Sequence, residues 1–391
     1  MVFSASGPGS TTEAVTDFEA SLRAHGALKN EDKDVDDVLT ETCVGVDLVD
    51  GTHWRAPASR LWALLDAILD LVEHGRGSPG GVAAYLGVAQ WYDLLRRLRL
   101  SVFDRVYDFS SGAKARDWRL TEVPDAVVDE LLVDMTLSVF GAVDMQRPFL
   151  PFVGATDAST VFGHGAAIAP LPLGVLRRLS TMTCTAGGHV TLDDGAALSE
   201  ELAARLGPRQ HLDLQLGDFE VVLSVRVEDP DHINLEEAKA LIRYIRWILR
   251  SKSRFGHRVV VLIDSQVVIG AATKGRSSSR ALNALIRRLA ALCFAGGLVL
   301  HCIFIPTAHN PSDWPSRGGP GTWPEALRSS TRRGVPGGPR AEARAPKHAP
   351  TAAERAAQQL DVAWLRLVSC GMVDSDSSSC NSTDVTDDDI W

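Results

Sequence analysis

Four carboxylates stand where a folded chain could gather them: Asp157, Glu237, Asp264 and Asp313. Asp264 follows five apolar residues, Val259 to Ile263. That run is too short and too β-branched for a helix, and it lacks the alternation of a half-exposed strand. It reads as a central strand buried on both faces, and open α/β sheets do their chemistry beyond the carboxyl ends of such strands. Asp157 falls near the end of the first of two short strands, Phe152 to Ser159, which a glycine-bearing turn joins to Gly163 to Ile168. Glu237 opens a helix running from about Asn234 to Arg250, and Asp313 follows a last strand, Leu298 to Ile305. Carboxylates brought together repel one another and hold protons at neutral pH unless a cation lies among them, and Mg²⁺ is a cation that prefers oxygen ligands.

The helix after Asp229-Pro230-Asp231 carries Ala238, Leu241, Ile242, Ile245, Ile248 and Leu249 on one face. With successive residues about 100° apart, Glu237 falls at the edge of that face, in line with Leu241 and Ile248, and can reach over the sheet. Glu236 falls nearly opposite and is expected in solvent. Lys239, Arg243, Arg246 and Arg250 form a basic stripe on a further face, which suits either a solvated surface or a path for phosphates.

The elements that must position these acids follow from the pattern around them. An amphipathic helix over 12–25 stops at Gly26, and a polar turn follows at Lys29 to Lys33. Thr42 to Leu48 alternates like an edge strand, and Asp50-Gly51 turns it. Pro57 opens a long helix through Leu61, Leu64, Leu65, Ile68, Leu69 and Val72, and two more helices are expected at 79–99 and 123–140. Residues 170–216 are rich in Pro, Gly and Leu without a clean period and read as an insertion before a strand at Phe219 to Val227. Ser277 to Ser279 offer caps for a helix through Leu282, Leu285, Ile286, Leu289 and Leu292. Gly270 to Ser277 has the spacing of a phosphate loop, but Arg276 replaces the required lysine and Gly270 does not directly follow the strand, so that reading is set aside. Gly, Pro, Arg and Ala dominate 318–350, an alanine-rich helix fits 351–369, and 374–389 is acidic, serine-rich and expected to be disordered.

Composition narrows the classes. With 391 residues, 45% of them hydrophobic, the chain is long enough for two or three domains with real cores. Its net charge of -9 means that any nucleic acid would be held by local basic stripes and not by overall attraction. Cys43, Cys184, Cys293, Cys302, Cys370 and Cys380 form no C-x-x-C pair and no zinc spacing, which favours a reducing, intracellular compartment, cytoplasmic or nuclear. No signal peptide or membrane span is expected, because Leu289 to Pro306 is broken by Gly296-Gly297 and His301.

Strand-strand-strand-helix-strand-helix-strand with acids at these places resembles the ribonuclease H fold, and the motifs make the resemblance specific over 152–317. Thr156-Asp157-Ala158-Ser159 followed by Gly163-x-Gly165 resembles the first-strand signature of retroelement ribonuclease H domains. Asp264-Ser-Gln with Lys274-Gly-Arg-Ser-Ser-Ser resembles their central-strand segment, and Asn310-Pro-Ser-Asp313-x-Pro-Ser-Arg317 their closing motif. His232-Ile-Asn-x-x-Glu237 matches a further pattern that selects the second glutamate of the pair. His25-Gly26 through Lys33 resembles the end of a reverse-transcriptase palm, Val44-Gly45-Val46 its primer grip, and 57–150 its thumb and connection. No Tyr-x-Asp-Asp motif occurs, so polymerisation is not expected of this chain.

The resemblance implies an α/β chain divided at 1–56, 57–150, 151–317 (with the 170–216 insertion) and 318–391: palm remnant, helical thumb and connection, ribonuclease H-like mixed sheet, and linker with tail. It implies a hydrolase, an endonuclease cutting the RNA strand of RNA-DNA hybrids with two Mg²⁺, or Mn²⁺ in their place. Asp157 and Asp264 would be central ligands, Glu237 would bind the metal near the leaving group, Asp313 would complete the other shell, and His309 would assist product release. Lys274, Arg276, Ser277, Arg280, Asn310 and Arg317, with Arg287 and Arg288, would contact nucleic acid, which such enzymes tell apart by shape and 2′-hydroxyls. A separate reverse-transcriptase polypeptide is an expected partner. The alternative is a degenerate fragment that grips nucleic acid and cuts nothing.

Overall fold

The structure is a computed structural model, and it describes residues 12–27, 38–184, 187–193 and 199–319. The turn expected at 29–33, the 351–369 helix, the acidic tail and nearly all of the linker lie outside the described residues.

Helix α1 (Thr12–Ala24) is followed by strands β1 (Glu41–Cys43), β2 (Val46–Val49) and β3 (His53–Arg55). The segment expected as a single edge strand is therefore a hairpin. Val44 and Gly45 both take positive φ, 53° and 77°, the geometry of a two-residue type I′ turn whose twist matches paired strands. Helix α2 (Ala58–His74), β4 (Arg76–Gly77), α3 (Pro79–Asp93), α4 (Arg105–Ser110), β5 (Thr121–Glu122), α5 (Asp125–Leu137) and β6 (Val143–Asp144) complete this half. The helix expected over 79–99 ends at Asp93 and continues as a tighter 3₁₀ segment, Leu94–Val102, in which Arg96 leaves helical geometry. Buried Arg99 accounts for part of that: it ion-pairs with Asp93 at 3.0 Å and Asp134 at 2.8 Å and so ties α3, the 3₁₀ segment and α5 together.

The second half is built on one seven-stranded sheet. In chain order its elements are β7 (Phe149–Ala158), β8 (Gly163–Pro170), α6 (Leu173–Thr181), β9 (His189–Thr191), α7 (Glu200–Arg205), β10 (Arg209–His211), β11 (Glu220–Arg226), α8 (Ile233–Leu249), β12 (Arg258–Ile263), α9 (Gln266–Lys274), α10 (Arg280–Ala295), β13 (Val299–Phe304) and α11 (Asp313–Ser316). The strand order is β10-β9-β13-β12-β7-β8-β11. Strands β11, β8 and β7 pair antiparallel, whereas β7, β12, β13, β9 and β10 run parallel. The 170–216 segment is thus more than a decoration, since its strands β9 and β10 extend the sheet on the far side of β13. Sequence patterning gave no sign of them, because three-residue strands such as His-Val-Thr and Arg-Gln-His are too short to show a period.

Strand β12 explains the two-sided core. Val259, Val261 and Ile263 pack with Leu241, Ile245 and Ile248 of α8 and with Ile286 and Leu289 of α10. Val260 and Leu262 face the other way, onto Leu176 and Leu179 of α6 and Val190 of β9. Leu241, Ile245 and Ile248 are all 0% exposed, and each such side chain contributes about 1.5 to 3 kcal/mol by leaving water. Helix α9 passed unnoticed in the sequence; it takes in Gly270 to Lys274 and ends at Gly275, so the first half of the phosphate-loop spacing is helical and cannot form a loop around a phosphate. Ser265 caps it through Val268 N, and Ser279 caps α10 through Leu282 N. No helix among the described residues is long and apolar enough to cross a membrane.

The two halves meet along α10. Asn283 Nδ2 and Arg287 Nε donate to the carbonyl of Ser101 at 3.0 and 3.1 Å. Arg280 ion-pairs with Asp108 at 2.9 Å, and the Arg276 guanidinium lies 4.6 Å from the centre of the Tyr107 ring.

Candidate metal centre

Three of the four acids converge. Asp157 is the penultimate residue of β7, Asp264 directly follows β12, and β7 and β12 are parallel neighbours, so both side chains emerge at the same end of the sheet. Glu237 joins them from the first turns of α8, which lies over β7 and β8. Ligand atoms of Asp157, Glu237 and Asp264 all lie within 4.8 Å of one another.

The surroundings hold this trio and leave it short of donors. Ser316 Oγ donates to Asp157 Oδ2, and Thr307 Oγ1 donates to Asp264 Oδ2 at 2.8 Å. Ser316 belongs to the Asn310-to-Arg317 motif but was given no role in the sequence, and Thr307, just before that motif, was not singled out. Asn310 is buried, donates to the carbonyl of Thr156 at 3.1 Å and also bonds Asp264, which makes it a brace inside the fold and not a surface contact. Gly165, opposite Asp157 in the β7–β8 register, permits this closing segment to approach. A Cβ there would lie 2.5 Å from both Ser312 O and Ser316 N, so only glycine lets Ser316 reach Asp157.

Glu237 Oε2 and Asp264 Oδ1 are buried with no hydrogen-bond partner. Burial, then the neighbouring Asp264, pushes the Asp157 carboxyl up to about 8 against the lowering effect of Ser316. Burial, then Asp264 and Asp157, pushes Glu237 up to about 9. Burial raises Asp264 as well, offset in part by Thr307 and Asn310. An all-oxygen set with orphaned, buried, mutually repelling carboxylates fits a hard divalent cation, which would satisfy those atoms and favour their charged forms.

One expectation about the site needs correction, and two further candidates are placed apart from the trio. Glu236 does not point to solvent: it is 1% exposed and bonded to His164 Nε2 on β8 at 2.7 Å. The helical wheel registers only the apolar face of α8 and is blind to a polar group of the sheet, His164 on β8, and to the 229–232 loop that meets the helix at its flank. Asp313 is not among the acids whose ligand atoms lie within 4.8 Å of one another; Arg317 Nε and a terminal guanidinium nitrogen donate to its Oδ1 at 2.8 and 2.7 Å, and its charge still reaches Asp157. His309 is buried, and its Nδ1 accepts the backbone N–H of Leu192 at 3.0 Å, which ties the inserted strands to the closing loop.

The expected nucleic-acid contacts are divided in the same way. Arg276, Arg280 and Arg287 face the 101–108 segment, and Ser277 bonds Asn283 and Ser279 at the head of α10. Lys239 is engaged by Asp231 and Glu236. Lys274, Arg288, Arg243, Arg246, Arg250 and Arg317 are exposed.

Fold and site together define a mixed α/β protein with a buried acidic trio able to hold a metal ion. No protein-family model matches the chain, and no curated protein sequence matches it. Among solved structures, the foamy viral protease-reverse transcriptase in complex with an RNA/DNA hybrid aligns with a TM-score of 0.28 and 8% identity. That alignment covers 78% of this chain and 55% of the viral one, so the chain spans little more than half the length of that protein. At such a score the likeness carries no weight for fold or function.

Proposed function

We propose that the chain is a divalent-metal-dependent endonuclease that hydrolyses the RNA strand of RNA-DNA hybrids, through a ribonuclease H-like domain over 151–317. The observation that carries this reading is the convergence of Asp157, Glu237 and Asp264 at the carboxyl end of β7 and β12, with Glu237 Oε2 and Asp264 Oδ1 left unpartnered. The retroelement-like motifs around each acid supply the substrate class. Bound Mg²⁺ would supply Lewis-acid stabilisation of the transferring phosphate and a water acidic enough to attack it. Asp157, Glu237 and Asp264 would be the ligands. Ser316 and Thr307 orient two of them by donating to one oxygen each, and Asp264 Oδ1 is left without a partner. Exposed Lys274 and Arg288, with Arg243, Arg246 and Arg250 on α8, are cations suited to phosphate contact.

A second reading, a nucleic-acid-binding module without cleavage, is favoured by Asp313, whose Oδ1 is taken up by Arg317. One experiment separates the two. Purified protein is incubated with a labelled hybrid, with the matching RNA alone and with duplex DNA, in Mg²⁺ and then in EDTA. Cleavage of only the hybrid's RNA strand, abolished by EDTA and by Asp264→Asn, supports the nuclease. Binding of the hybrid with no product, in Mg²⁺ and in Mn²⁺ alike, refutes it in favour of the module.

A further inference from the structure

We infer that Glu236, the neighbour of a proposed metal ligand, is a positioning residue that sets the rotation of α8 and so holds Glu237 in the acidic trio. The inference rests on the metal-site reading above. Glu236 is 1% exposed, and its two oxygens take partners from three places. Oε2 bonds His164 Nε2 on β8 at 2.7 Å, and Oε1 accepts from Asp231 N at 2.8 Å and from Lys239 Nζ, one turn along α8, at 2.8 Å. Lys239 also reaches Asp231 Oδ2 at 2.5 Å, which closes the loop before α8 onto its first turn.

The placement of His164 gives this anchor its leverage. It lies directly across the β7–β8 ladder from Ala158, the residue after Asp157, and Glu237 is hydrogen-bonded by the backbone of that same Ala158. Successive residues of a helix diverge by about 100°, so Glu236 and Glu237 straddle the strand pair, one gripping β8 and the other reaching the end of β7. A rotation of α8 that withdrew Glu237 from Asp157 and Asp264 would have to break the Glu236–His164 bond. Isolated apolar packing along Leu241, Ile245 and Ile248 resists such a rotation less sharply, because dispersion contacts vary gradually with angle whereas a buried charged hydrogen bond does not.

The test compares Glu236→Ala, Glu236→Gln and, as a control of matched instability, Ile248→Ala three turns along the same helix. Mn²⁺ affinity is measured by calorimetry well below each melting temperature, and hydrogen exchange is followed at the amides of Asn234 to Ala238. Glu236→Ala is expected to weaken Mn²⁺ binding by about 10-fold or more, the effect of losing a group that orients a ligand. Glu236→Gln, which keeps the shape and an acceptor for Asp231 N, is expected to recover most of that loss, while Ile248→Ala stays within about twofold of the parent. Unchanged affinity in Glu236→Ala, or equal losses in Glu236→Ala and Ile248→Ala, would overturn the inference. If the parent binds no Mn²⁺, the metal reading fails and exchange decides the positioning claim. Faster exchange over 234–238 in Glu236→Ala than in Ile248→Ala sustains it, and equal exchange rejects it.

Discussion

Metal binding at the trio should be steeply pH-dependent. Burial and acidic neighbours push the Asp157 carboxyl up to about 8 and that of Glu237 up to about 9. At pH 7 these two groups sit roughly one and two units below their midpoints, so a cation must displace about two protons. The apparent affinity is then reduced by roughly three orders of magnitude relative to high pH, about 4 kcal/mol. Between pH 6 and 7.5 affinity should climb about 100-fold per pH unit and level off above about pH 9. Calorimetric titration of Mn²⁺ in two buffers of different ionisation enthalpy reads the affinity and the number of protons released. Asp157→Asn should remove one proton from that count and flatten the slope to about tenfold per unit. An affinity that stays within about threefold between pH 6 and 8 in the parent would refute the account of the site's electrostatics.

Two further predictions concern the groups that hold the fold and the trio. Asp93 is buried against Asp134 and Arg99, and burial, then Asp134, raises its carboxyl to about 8. The folded state therefore binds this proton more tightly than the unfolded chain, whose carboxyl titrates near 4, and Asp93's contribution weakens as pH rises from about 4 to 8. Asp93→Asn should flatten the fall of melting temperature between pH 5 and 9, and an unchanged profile would count against it. Ser316→Ala removes the hydroxyl that draws Asp157 downward. It should weaken Mn²⁺ binding at pH 7 by about three- to tenfold and have little effect at pH 9.5, where Asp157 is ionised regardless; an equal effect at both pH values would contradict this role.

The parts of the fold legible in the sequence are those with a strong local signature. Five consecutive apolar residues ending in Asp264 marked a strand buried on both faces, and Val259 to Ile263 indeed divide between the two cores. Apolar spacing gave α8 and the correct phase for Glu237. The same spacing misjudged Glu236, because a wheel equates the buried face with the apolar one, whereas α8 also buries a polar flank against His164 of β8 and the loop before the helix. Strands β9 and β10 were illegible for a different reason. Their pairing is set by long-range parallel register, His189 opposite Phe304 and Arg209 opposite His189, which no short window contains. Asp313 and Arg317, four residues apart, form an ion pair that the motif alone could not separate from ligation, since a carboxylate can serve either purpose.

The central claim is that Asp157, Glu237 and Asp264 hold divalent cations, and the most direct measurement is an anomalous difference map from crystals soaked in Mn²⁺. The account predicts at least one strong peak between these three carboxylates, in contact with Glu237 Oε2 and Asp264 Oδ1, and no such peak in Glu237→Gln crystals. A map with no density among the three acids in the parent protein, at an Mn²⁺ concentration that fills other sites, would contradict it.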